Sequence, residues 1–117
     1  MVGISSFFNR FNFLKQLPIF ANCNWIELQR IARKATAVEY KKGDIIYEEG
    51  SPPDFFYCCI SGRLQAYSHN KQGKKINTEF IHRGMHFGII SVLTGETHSL
   101  TIEAINNSVI LKISKED

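Results

Sequence analysis

The residues best placed to do chemistry lie between Gly84 and Ser99, where Gly84-Met85-His86-Phe87-Gly88-Ile89-Ile90-Ser91-Val92-Leu93-Thr94-Gly95-Glu96-Thr97 interrupts a strand-like sequence. Phe87 to Leu93 has no period of two. A short helix starting after Gly88 suits it, with Ile89, Val92 and Leu93 turning inward. A glycine followed by the first turn of a helix aims backbone N–H groups at one point, which is a cradle for an anion.

Other chemistry is thin. His69, His82, His86 and His98 are scattered, with no carboxylate or cysteine at metal-ligand spacing. His82 and His86 fall around a glycine turn rather than on one helix face. Cys58 and Cys59 are adjacent in an apolar strand, so their side chains point to opposite faces. No Ser-His-Asp or Cys-His pairing and no recognisable pair of carboxylates is present, so no enzyme activity is expected. Lys71, Lys74 and Lys75 cluster at a hairpin tip with Arg83 near the next turn. That cluster reads as a solvated hairpin end, with a docking surface for an acidic partner as the alternative.

The elements that must position the cradle follow from periodicity. Phe7, Phe11 and Leu14 recur on one helical face, and Ser5 or Ser6 is placed to cap it. Pro18 ends that helix, because the residue before a proline avoids helical geometry. Asn24 with Glu27 resembles a capping box, opening a second helix whose apolar side is Ile26, Leu28, Ile31 and Ala32 and which ends near Lys34. Beyond Ala35 the period changes to two. Short strands are predicted around Val38 and Tyr40, at Ile45 to Tyr47, Phe55 to Ile60, Leu64 to Tyr67, Ile76 to Ile81, Ser99 to Ala104 and Ser108 to Ile113. Asn70 to Gly73 is a hairpin tip, and Asn106-Asn107 is the last turn. Regularly spaced glycines between short strands are the rhythm of a small barrel or sandwich.

Composition agrees. The chain has 117 residues, 44% hydrophobic and 21% charged, which suits one globular domain. No apolar run approaches the length of a membrane span. The Phe-rich start is interrupted by Arg10 and Lys15, so it is not a secretory signal. It reads as an amphipathic helix docked on the chain or on a partner rather than as a membrane anchor. The net charge of +3 does not announce a nucleic-acid binder. Three cysteines cannot form a closed disulfide set, and a cytoplasmic location is expected.

Two stretches together resemble the cyclic nucleotide-binding domain of the catabolite-activator (Crp/Fnr-like) superfamily. The first is Gly43-Asp44-Ile45-Ile46-Tyr47-Glu48-Glu49-Gly50, continuing through Asp54, Tyr57 and Ser61-Gly62. The second is Gly84 to Ser99, which is similar to the family's phosphate-binding cassette in length, glycine placement and its Leu-Thr-Gly-Glu loop. The resemblance covers about residues 11 to 117. It implies a mainly β fold with flanking α (α+β), an eight-stranded antiparallel double-stranded β-helix or jelly-roll barrel. Two N-terminal helices precede the barrel, and one short helix lies in the cassette. The organisation expected is an amphipathic helix over 1–17 and the barrel domain over 18–117, without the lid helices that follow it in the family. The start Ser114-Lys115-Glu116-Asp117 resembles the cap of the first of them, so the chain is expected to be part of a larger signalling or transcription-regulator protein.

The resemblance also assigns a site. Phe87, Gly88, Ile89, Ile90, Ser91, His98, Ser99 and Leu100 are expected to line it. In the family a glutamate follows the Phe-Gly pair and hydrogen-bonds the ribose hydroxyl; here that residue is Ile89. A family arginine clamps the cyclic phosphate near the end of the cassette; here it is His98. A neutral imidazole does not reproduce the bidentate fork of a guanidinium. The resulting expectation is a regulatory ligand-sensing domain with weak or altered cyclic nucleotide binding. Its ligand is cAMP, another cyclic nucleotide or a different anion. The alternative is a structural or dimerisation module that binds no ligand. A homodimer is the expected partner arrangement, with no direct nucleic-acid contact from this segment and no membrane association.

Overall fold

The computed structural model describes residues 7–114. Helix α1 (Phe7–Lys15) is followed by a single 3-10 turn at Pro18–Phe20 and by helix α2 (Trp25–Lys34). The expected cap at Ser5 or Ser6 lies outside the described residues, as do the Phe7 side chain and the last three residues of the expected helix start. The capping box forms: Glu27 N donates to Asn24 Oδ1 at 2.8 Å and Asn24 N donates to Glu27 Oε1 at 2.9 Å. Two orphan donors at the start of α2 are thereby satisfied.

Eight strands follow: β1 (Ala35–Tyr40), β2 (Ile45–Tyr47), β3 (Phe55–Ser61), β4 (Leu64–His69), β5 (Lys75–Ile81), β6 (His86–Phe87), β7 (Thr101–Ala104) and β8 (Ser108–Ser114). Helix α3 (Ile89–Thr94) sits between β6 and β7. The strands form two antiparallel four-stranded sheets, in the orders β1-β8-β3-β6 and β2-β7-β4-β5. This is the antiparallel jelly-roll architecture expected from the sequence. The predicted strand Ser99 to Ala104 starts only at Thr101, because Ser99 and Leu100 form a bend leaving the cassette.

The period of two divides the core. Cys58, Leu111 and Ile113 face the helices, where Leu14, Leu17, Phe20, Leu28 and Ala32 cover them. Their chain neighbours Cys59 and Ile110 face the barrel interior with Tyr57, Leu64, Ala66, Ile81, Phe87, Ile102 and Ala104. Both central cysteines are therefore fully enclosed, one in each cluster. Burial pushes the thiols of Cys58 and Cys59 up to about 12 and about 11, so neither is a thiolate at neutral pH.

Lys75 leaves the hairpin-tip cluster: its ammonium lies 4.3 Å from the centre of the Tyr67 ring and 3.9 Å from Glu103. The position of this lysine is explained by an intramolecular contact on the outer face of the second sheet. No helix among the described residues is long and apolar enough to cross a membrane.

Candidate functional site: the cassette and its aromatic wall

The cassette begins where β6 pairs with β3, Tyr57 opposite Phe87 and Cys58 opposite His86. Gly88 then takes φ +81° and starts α3. A side chain is strained in that left-handed region, and the space is also occupied. A Cβ on Gly88 would stand 3.2 Å from His98 Cε1, 3.4 Å from Tyr57 Cδ1 and 3.5 Å from the Tyr47 hydroxyl. Gly88 is thus the point where the backbone passes over a cluster of rings.

That cluster is the main feature of the site. Tyr57 stacks on Phe87 with centroids 5.1 Å apart, and Tyr47 lies 5.3 Å from Tyr57. The His98 imidazole stacks on Tyr47 at 3.8 Å and 15°. Only 3% of His98 is exposed, and its Nδ1 is buried with no hydrogen-bond partner. The backbone fixes this position. His98 N donates to Ser51 O at 3.0 Å, and Gly50 N donates to His98 O at 2.8 Å. The end of the cassette is therefore zipped to the loop between β2 and β3.

The sequence-predicted site residues divide into three groups. Gly88 and His98 are brought together under α3. Phe87 is buried and belongs to the barrel core, where its ring serves as wall. Ile89 and Ser91 are half-buried on α3, and the Ser91 hydroxyl points back within 3.5 Å of Thr97 O. Ile90 is 74% exposed, Ser99 is exposed and Leu100 packs partly against the barrel core. The inward turn expected of Leu93 is not found: it is 78% exposed. α3 has only six residues and lies against β3 with a narrow stripe, Ile89 and Val92 being its half-buried apolar pair. Ile90 and Leu93, three apart, form the opposite face.

The sequence places Tyr47 and Tyr57 in the stretch that carries the resemblance but does not mark them as site residues. Tyr47 sits at the end of a three-residue strand with a register shift against β7, so alternation carries no signal there. Burial raises both phenols, Tyr57 to about 12, so the wall is uncharged at neutral pH.

Burial also lowers the pKa of His98, with the Asp54 charge partly opposing that shift. Below the ordinary imidazole value of 6.5, the unfolded chain takes up a proton that the folded chain resists. Stability is therefore full above that pH and falls as pH drops, until the folded-state pKa is passed. Thermal denaturation of the native protein and of His98→Phe, from about pH 7.5 to about pH 5.5, checks this. The native melting temperature should fall relative to that of the variant as the pH decreases. A constant difference would mean that His98 is not held neutral by burial.

With this geometry in place, the class of fold is defined: a jelly-roll barrel carrying a short helical cassette between β6 and β7. Residues 37–117 match the cyclic nucleotide-binding domain, and the chain belongs to that family. The cAMP-dependent protein kinase regulatory subunit of Aspergillus fumigatus is 26% identical over 104 residues, covering 89% of this chain and 24% of that protein. The sensor domain of the transcriptional regulator DNR from Pseudomonas aeruginosa superposes with a TM-score of 0.85 at 20% identity, over 93% of this chain and 73% of that one. The regulatory subunit of a cAMP-independent protein kinase A from Trypanosoma cruzi, bound to guanosine, gives a TM-score of 0.84 at 16% identity, over 93% and 39%. The chain thus spans about a quarter of the length of the first of these relatives.

Proposed function

We propose that this chain is the sensory unit of a larger cytoplasmic regulatory protein, and that its cassette holds a ligand while responding weakly, or not at all, to cAMP and cGMP. The observation that carries this reading is the buried stack of His98 on Tyr47. The residue at the position of the family's phosphate clamp points into a ring cluster and has no fork of donors to offer. Ile89 adds to the effect, because a ribose hydroxyl set against it is desolvated without a partner. The retained cassette length, Gly88 with its left-handed φ and the ring wall beneath it support a site that still exists. The cAMP-independent relative from Trypanosoma cruzi, bound to guanosine, supports the view that this fold accepts a ligand other than a cyclic nucleotide.

The role is regulatory rather than catalytic. The Aspergillus fumigatus relative is a regulatory subunit, and the ring wall offers no ionised nucleophile or base at neutral pH. Filling the site shifts a conformational equilibrium only by the ligand's difference in affinity for the two states. Three unpaired thiols, two of them enclosed, suit a reducing compartment.

Isothermal titration of cAMP and cGMP into the full-length protein tests the reading. A hydrogen bond to a charged group contributes roughly 1.5–3 kcal/mol. Loss of two such contacts predicts affinities roughly two to four decades weaker than an intact constellation gives. Tight binding of either nucleotide by the native protein would remove the proposal.

A further inference from the structure

The charges around the cassette are arranged against a phosphate. From Gly84 to Leu100 the sequence contains no lysine or arginine, and Glu96 is its one charged residue. The loop zipped to the end of the cassette carries Glu48, Glu49 and Asp54, all exposed. Glu49 is tied down as well, its backbone N donating to Thr101 Oγ1 at 2.9 Å. The imidazole between this loop and α3 is enclosed and stacked, and burial keeps it uncharged at neutral pH. A cation on β8, Lys112, lies beside Tyr57 in register but is held 4.1 Å from the centre of the Phe55 ring. Phe55 in turn packs on Tyr57, so a chain of rings separates that ammonium from Gly88.

An anion entering this site meets the charge of Asp54, which acts on His98, and no positive side chain in the cassette. Its hydration shell must be given up for backbone N–H groups alone, and unpaired buried charge is strongly unfavourable. An uncharged ligand avoids that cost. What the cassette and its wall do offer suits a flat heterocycle with hydroxyl groups: the half-buried Ile89 and Tyr47, and the neutral hydroxyls of Ser91, Thr97 and Ser99.

We propose that the cassette selects an uncharged nucleoside over the phosphorylated form of the same nucleoside, with Asp54, the enclosed His98 and the absence of a basic side chain from the cassette as the excluding elements. This rests on the reading above that the cassette still holds a ligand. It goes further by naming the ligand's charge state and chemical class.

Matched pairs isolate the phosphate. Adenosine against cAMP, and guanosine against cGMP, are titrated calorimetrically into the full-length native protein. In at least one pair the nucleoside should bind tenfold or more tighter than its cyclic monophosphate, and its affinity should be insensitive to salt. If the cyclic form binds as tightly or more tightly in both pairs, the charge-exclusion proposal is overturned while a ligand-holding cassette survives. If neither member of either pair binds, this proposal is overturned, while the expected weak response to cAMP and cGMP stands.

Discussion

Replacing Ile89 with Glu and His98 with Arg together should raise affinity for cAMP or cGMP by roughly two to four decades over the native chain. Each substitution restores one charged hydrogen-bonding group. The carboxylate at position 89 stands on the half-buried side of α3, one residue after Gly88. The guanidinium at 98 has a longer reach than imidazole and five donors instead of one. It also brings positive charge into a region where Asp54 acts on the residue at 98. Gly88, the chain neighbour of Ile89, lies against His98, so the two effects need not add. Each single variant should therefore be measured beside the double one.

A folded double variant that binds no more tightly than the native chain would show that Ile89 and His98 do not set the affinity. Folding is checked by the melting transition of each variant. His98→Arg alone carries the risk, since it replaces a ring stacked at 3.8 Å and 3% exposed. Ile89→Glu is the safer single change, because its position is only half enclosed.

Much of the frame is legible in the sequence. Asn24 and Glu27 announced the start of α2 because a capping box is encoded within four residues. The pleat alone puts Cys58 and Cys59 on opposite faces, and they fall into the two separate core clusters. The cassette's helix start was legible at Gly88, since a left-handed residue before a helical turn favours glycine.

The state of His98 was not legible. Its burial depends on Tyr47, which is distant in sequence and reaches it only when β2 and the cassette are brought side by side. A single side chain at a loop end carries no period from which to read its direction. Leu93 failed for a related reason: over six residues, helical periodicity does not decide which apolar positions face inward. Strand β6 has two residues, too few to show alternation. What fixes it is pairing with β3, a long-range contact.

Gly62→Ala should be the most damaging of the glycine substitutions, costing about 2–5 kcal/mol of folding stability. Gly62 joins β3 to β4 with φ +90°. An alanine there adopts the left-handed region at about 1–2 kcal/mol. It also places a methyl group against the Ser108 hydroxyl, 2.7 Å from Asn107 O and 2.7 Å from Ser108 Cα. Most of that obstruction is backbone, which a side-chain rotation does not relieve. The turn is interlocked with the last hairpin: Arg63 N donates to Asn106 Oδ1 at 2.9 Å, and Ile105 N donates to Arg63 O at 3.0 Å. Displacing one turn disturbs the other, and with it the connection between β7 and β8. Gly43→Ala is the control. Its φ is +92°, close to that of Gly62, but a Cβ there meets nothing within 4 Å. Urea melts of the two variants should therefore differ by the obstruction alone, about 1–3 kcal/mol. Equal losses would mean that the two turns move apart freely and that the barrel end is not held by this contact. With a typical domain stability of about 5–15 kcal/mol, the Gly62 variant has the smaller margin left for any ligand-driven change in the barrel.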